Sequence, residues 1–155
     1  MKKYILFVLL IISNLIFAND DITGYWYNAK NEAEHTAIIK IEKSEDNKYF
    51  GKIVKLKNPI YLDGENKGKK KLDLNNKNQD LRNRTIEGIK IIENFRYDEK
   101  NNDFRDGTIY NPEDGKVYYS YIKFQKDGKL HVRGSVDALG WFGKTRTWSR
   151  VEDKH

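Results

Sequence analysis

Val117-Tyr118-Tyr119-Ser120-Tyr121-Ile122-Lys123-Phe124-Gln125-Lys126-Asp127-Gly128-Lys129-Leu130-His131-Val132-Arg133-Gly134-Ser135-Val136 is two alternating runs around one turn. In the first run Tyr118, Ile122 and Phe124 share one face, while Tyr119 and Tyr121 share the other. A two-residue Asp127-Gly128 turn would pair Phe124 with His131 and put the apolar residues of the two strands on opposite faces. A three-residue Lys126-Asp127-Gly128 loop instead pairs Phe124 with Leu130, Ile122 with Val132 and Ser120 with Gly134. It also places Gly128 where a left-handed backbone is required. The stretch therefore predicts an antiparallel hairpin closed by a three-residue loop.

Outward from this hairpin the same grammar repeats. Strands are expected over 22–27, 36–41, 49–56, 86–97, 104–110, 117–125, 130–136 and 143–151, with turn-forming residues between them. Asn111-Pro112-Glu113-Asp114-Gly115 is the strongest turn signal, and Gly88 is expected to mark a bulge or bend. One connection breaks the rhythm. Residues 57–84 are rich in Lys, Asn, Asp and Gly; partial disorder is expected for 58–71, with 72–74 and 81–82 docking back and a short helical turn at 79–83. Eight strands with one long polar loop predict an all-β fold, an eight-stranded antiparallel meander closed into a barrel. Trp26 near the first strand, with Trp148 and Arg150 in the last, are the residues expected to close and plug it.

The first eighteen residues read as an export signal. Lys2-Lys3 precede a mostly apolar run from Tyr4 to Phe17, and cleavage is expected after Ala18. That run is shorter than the roughly 20 residues a spanning helix needs, and no later apolar span follows. The expectation is a single domain over 19–155, periplasmic or secreted, with no stable membrane span after cleavage. Losing Lys2 and Lys3 lowers the net charge from +6 to +4, because all 23 acidic residues lie beyond the signal. With no cysteine in the chain, disulfides and thiolate metal sites are excluded. Lys67, Lys69, Lys70 and Lys71 concentrate charge in the polar loop rather than over a face with interleaved aromatics, which argues against nucleic acid as a partner.

By Trp148 the motifs form a pattern. Gly107-x-Ile109-Tyr110-Asn111-Pro112-x-x-Gly115-Lys116-x-Tyr118, Leu130-x-Val132-Arg133-Gly134 and Gly143-Lys144-Thr145-x-Thr147-Trp148-x-Arg150-Val151 resemble an exported bacterial family, domain of unknown function 2147. The resemblance covers nearly the whole mature chain from Gly24-x-Trp26. It implies a lipocalin-like, or calycin, barrel without an established activity. It also implies that Trp26 packs under the barrel floor with a late arginine across its ring, Arg150 or, second, Arg146. Two departures stand out: Asn78-Gln79-Asp80 replaces Asn-Pro-Asp, and Gly143-Lys144-Thr145 replaces Gly-Arg-Thr, a point charge in place of a planar fork.

Chemistry-bearing constellations are sparse. His35, His131 and His155 have no spacing that gathers metal ligands, and no nucleophile elbow or phosphate loop occurs. Asp103 and Asp106 read as solvated strand ends. No catalytic residue, metal or cofactor is expected. Arg82 and Arg84, just before a strand, could meet an anionic ligand or tie the long loop to the barrel through Asp73 and Asp80. The loop Asp137-Ala138-Leu139-Gly140-Trp141-Phe142 joins two strands with apolar groups that must cover a mouth or meet something. Leu139, Trp141, Phe142, Arg82 and Arg84 are therefore the candidate ligand contacts. Two functions follow: non-covalent binding of a small, partly apolar molecule, or an envelope interaction protein whose filled barrel contacts protein, glycan or lipid headgroup. An enzyme using loop carboxylates and arginines is the weaker third.

Overall fold

The computed structural model describes residues 21–152, so the export signal expected over 1–18 and His155 lie outside the described residues. Eight strands form a closed antiparallel barrel in sequence order: β1 (Gly24–Tyr27), β2 (Ala37–Lys43), β3 (Tyr49–Leu56), β4 (Lys90–Asp98), β5 (Asp103–Asn111), β6 (Lys116–Phe124), β7 (Leu130–Ser135) and β8 (Gly143–Arg150). The strand order is the predicted meander, with ends shifted by a few residues. Two starts move furthest. The expected 22–27 begins at Gly24, and the expected 86–97 begins at Lys90, because Gly88 (φ +96°) turns the chain before the strand rather than bulging within it.

The β6–β7 register is the one expected. Phe124 faces Leu130, Ile122 faces Val132 and Ser120 faces Gly134, and Gly128 takes φ +78° in the three-residue loop. Successive hairpins put every odd connection at one end. The loops after β1, β3, β5 and β7 surround the mouth. The tight turns after β2, β4 and β6, with residues 21–23, form the floor.

The core fills the floor half and, on β2, β3 and β4, continues toward the mouth through Ala37, Ile53 and Ile92. Trp26, Ile39, Ile41, Ile92, Phe95, Phe104, Ile122 and Leu130 are essentially inaccessible, with Trp148 and Val132 beside them. Phe95 packs over Gly107 of the neighbouring strand, where an added Cβ would stand 2.1 Å from its ring. Phe104 packs edge-on to Tyr49 at 4.9 Å between centroids. Asn94 (φ +63°) and Asp106 (φ +61°) interrupt the β4–β5 ladder nearly opposite each other and coil that hairpin around the core.

The long loop corrects one expectation. Residues 58–71 are folded onto themselves through bridges Ile60↔Lys70 and Tyr61↔Lys67, and Leu72↔Thr85 joins the loop's two arms. Its polar composition is served by internal backbone pairing, as in the Tyr61 N–H to Lys69 carbonyl bond (3.0 Å). The short helical turn appears as a 3-10 element, Gln79–Leu81, capped by the Asn78 side chain.

Candidate functional site

Strand register decides which side chains face the interior, because directly opposed residues of an antiparallel pair project to the same side. Phe104, Ile122, Val132 and Arg146 form one such row across β5–β8, and Gly107, Ser120, Gly134 and Lys144 form the next row toward the mouth. Leu130 opposes Trp148, and Trp26 opposes Arg150. The inward positions of β8 are therefore Lys144, Arg146, Trp148 and Arg150: three cations on the inner wall of a barrel whose floor is apolar.

Their surroundings differ. Arg150 stacks over the Trp26 indole at 4.3 Å and donates to the carbonyls of Thr23 (3.0 Å) and Asp21 (2.8 Å). The indole N–H in turn donates to Ile22 (2.8 Å), so the 21–23 segment is laced under the floor. Lys144 and Arg146 are exposed, and their side chains have no hydrogen-bond or ion-pair partner among the described residues. The cause is the length of β1. It pairs with β8 only at Trp26↔Arg150 and Tyr27↔Ser149, so the mouth half of β8 lacks a β1 neighbour. Ile109, Tyr118, Ser120 and Gly134, on the adjoining strands β5–β7, are half-buried. Water thus reaches the inner wall at the mouth, above a dry floor.

Against this geometry the comparisons with known proteins are specific. Residues 24–150 match the family described as "uncharacterized protein conserved in bacteria", DUF2147. The chain belongs to DUF2147. A solved structure described as protein HP1028 from the human pathogen Helicobacter pylori, belonging to the lipocalin family, is similar at 24% identity with a TM-score of 0.70. That match covers 86% of this chain and 85% of that one. At that identity the likeness concerns the fold, and the fold is lipocalin-like. No curated protein sequence matches the chain.

In this DUF2147 barrel the expected contact residues fall into two groups. Arg82 and Arg84 are engaged within the long loop. Arg84 pairs with the fully buried Asp73 carboxylate (Nη2 2.9 Å, Nε 3.0 Å), and Arg82 Nε donates to the Asn76 carbonyl (2.7 Å) rather than to Asp80. Asp73 also accepts from Asn76 (2.7 Å) and from the Tyr110 hydroxyl of β5, and Arg84 lies over the Tyr110 ring. Burial, followed by the Asp73 carboxylate, pushes the Tyr110 hydroxyl up to about 12. Asn75 donates to the Glu113 carbonyl (2.8 Å), so the loop is latched to the β5–β6 turn as well.

Leu139, Trp141 and Phe142 form the second group and project into solvent on the β7–β8 loop, each about three-quarters exposed. This loop is held by polar bonds. The Asp137 carboxylate accepts from the backbone N–H groups of Trp141 (2.8 Å) and Phe142 (2.7 Å). Arg133 forks onto the Gly140 carbonyl (3.0 and 2.7 Å). The Phe142 N–H, and after it that of Trp141, hold Asp137 below the ordinary carboxylate range.

A solvent-open depression beside the β4–β5 turn, lined by Arg96, Tyr97, Asp98 and Arg105, is self-neutralised. Arg105 there pairs with both Asp98 and Asp103. Asp103 is consequently buried and paired, not the solvated strand end expected from sequence. Sequence reading named Arg146 only as the second choice for the stack on Trp26 and missed Lys144 as an interior residue. The available signal was the alternation Lys144-x-Arg146-x-Trp148-x-Arg150, which puts both cations on the face of the barrel-closing Trp.

Proposed function

We propose that this chain is an exported carrier that binds a small amphiphile non-covalently at the barrel mouth, with the apolar part toward the floor and an acidic group at Lys144 and Arg146. The observation that carries this reading is the pair of unpartnered cations on the inner face of β8, at the level where solvent enters. Ordered cations left without a carboxylate on a concave wall favour an anionic ligand, and Arg146 offers a fork that matches a carboxylate or phosphate. Ile109 and Tyr118 supply apolar wall beside them, while Ser120 and Gly134 leave room. The filled floor limits how deep a chain can reach, so a short or bent apolar tail fits better than a long one. The lipocalin-like fold supports small-molecule binding in general terms.

The test is titration of the mature chain with dodecanoate, and with dodecanol as the uncharged comparator, by calorimetry. Dodecanoate should bind, dodecanol more weakly, and Lys144→Gln/Arg146→Gln should weaken dodecanoate by about tenfold or more, equivalent to roughly 1.4 kcal/mol. Equal affinity in the double variant, or no binding of either compound, overturns the reading. The second reading, an envelope interaction protein, rests on a different surface, the β7–β8 loop.

A further inference from the structure

The outer face at the mouth end of β6–β8 gathers six of the eleven large apolar side chains exposed among the described residues: Val117, Tyr119, Val136, Leu139, Trp141 and Phe142. Strand pairing makes them contiguous. Tyr119 opposes Ser135, Val117 lies two residues along the same face, and the Val136 N–H bonds the Phe142 carbonyl (3.1 Å) across the loop. Clustered exposure of this kind marks an interaction surface. The tip is a defined shape, not a collapsed one. Asp137, Arg133 and the Gly140 N–H to Asp137 carbonyl bond (3.1 Å) hold its backbone, and Gly140 takes φ +76°. The polar groups of the loop thus bond one another and leave the apolar side chains pointing away from the barrel.

Charge selects the occupant. The mouth end that carries the loop holds three exposed cations, Lys116 at the start of β6 and Lys144 and Arg146 on the inner wall of β8. Arg133 is forked onto the Gly140 carbonyl. Asp137, the one carboxylate of segments 116–120 and 133–146, turns its oxygens onto the loop's own amides. The nearest other acids, Glu113 and Asp114, sit on the preceding turn, where Asp114 accepts from the Tyr118 hydroxyl and the Lys116 N–H. A convex tip carrying Trp, Phe and Leu with basic residues behind it is the chemistry that enters a headgroup layer. The aromatic and aliphatic groups reach the acyl boundary while the cations meet anionic lipid.

We infer that the 136–142 loop, with Val117 and Tyr119, docks this protein on an anionic lipid bilayer. The apolar docking loop lies outside the wall that lines the amphiphile site proposed above, while Lys144 and Arg146 stand at the mouth between the two, so substitutions in the loop that leave both cations in place separate one proposal from the other.

The experiment uses the mature chain with phosphatidylcholine vesicles, with and without phosphatidylglycerol. Binding is read by co-sedimentation and by quenching of Trp emission with brominated lipid. Trp26 and Trp148 are buried, so quenching reports Trp141. The expected result is binding and quenching on phosphatidylglycerol vesicles, weakening with added salt. Trp141→Ser/Phe142→Ser should lower that binding by about tenfold or more while dodecanoate binding is retained. Leu139→Asp, which leaves both aromatics in place, should also weaken vesicle binding. Failure to sediment with phosphatidylglycerol vesicles overturns the proposal, as does binding that both variants leave unchanged. So does a concentration-dependent dimer that the double variant dissociates, since the patch would then belong to a second copy.

Discussion

Arg150 joins the last strand to β1 through the Trp26 ring and to the chain before it through two carbonyls. Arg150→Ala removes the stack on Trp26 together with two donors to the 21–23 carbonyls; the expected loss is about 1–3 kcal/mol, measured by denaturant unfolding. Arg150→Lys keeps a charge near the indole but cannot span both carbonyls, so it should recover only part of that loss. Asp137 works on a smaller scale. Its pKa in the fold lies below the ordinary 3.8, so its contribution is present above that value and is lost as pH falls through the lower one. Amide exchange at Trp141 and Phe142 should therefore quicken, relative to neighbouring strand amides, in strong acid and in Asp137→Ala at neutral pH. Of these residue roles, only the Trp26–Arg150 pair was open to the sequence, through the family resemblance. The alternation of β8 puts Lys144 and Arg146 on the face of Trp148, but their exposure to water follows from the short β1, which the local pattern of β8 does not carry.

At the scale of elements, the β4–β5 hairpin and the long loop show what local pattern can and cannot reveal. Gly107 exists to admit Phe95. Gly107→Ala should cost about 1–3 kcal/mol by overpacking, and adding Phe95→Leu should make the double variant less destabilised than the two single losses summed. Sequence alternation located both strands. The two residues that coil them, Asn94 and Asp106, carry no glycine to betray a left-handed backbone. The long loop read as tethered or disordered because its apolar content is low. Its order instead comes from one buried carboxylate, Asp73, gripped by Arg84, Asn76 and Tyr110. Arg84→Ala should cost about 3 kcal/mol, since it leaves that carboxylate without its cation. Tyr110 gives the latch a pH signature. Its folded pKa of about 12 exceeds the ordinary tyrosine value of 10.0, so its stabilising effect is complete below 10.0 and fades as pH rises toward 12. Ultraviolet titration should show a tyrosine ionising near 12 that is missing in Tyr110→Phe.

For the molecule as a whole, the eight-strand meander was legible because each hairpin is local and its turn residues are explicit. What the interior holds was not, because occupancy depends on how rows from strands far apart in sequence meet across the barrel. The barrel offers an inner wall with two exposed cations and an apolar outer loop, on opposite sides of the same three strands. The closure of the ring also has a consequence for how the chain folds. Seven ladders join neighbours in sequence, but the eighth must bring Trp26 to Arg150 across almost the entire domain, through two residue pairs. Such a contact bears the largest loop-closure cost for the smallest ladder, so it should form after the rate-limiting barrier. Arg150→Ala is accordingly expected to leave the refolding rate nearly unchanged and to accelerate unfolding, a φ-value near zero in a chevron experiment. The barrel would assemble as an open curved sheet and shut its seam last, which makes the lifetime of the native state, more than the speed of reaching it, the property that Arg150 governs.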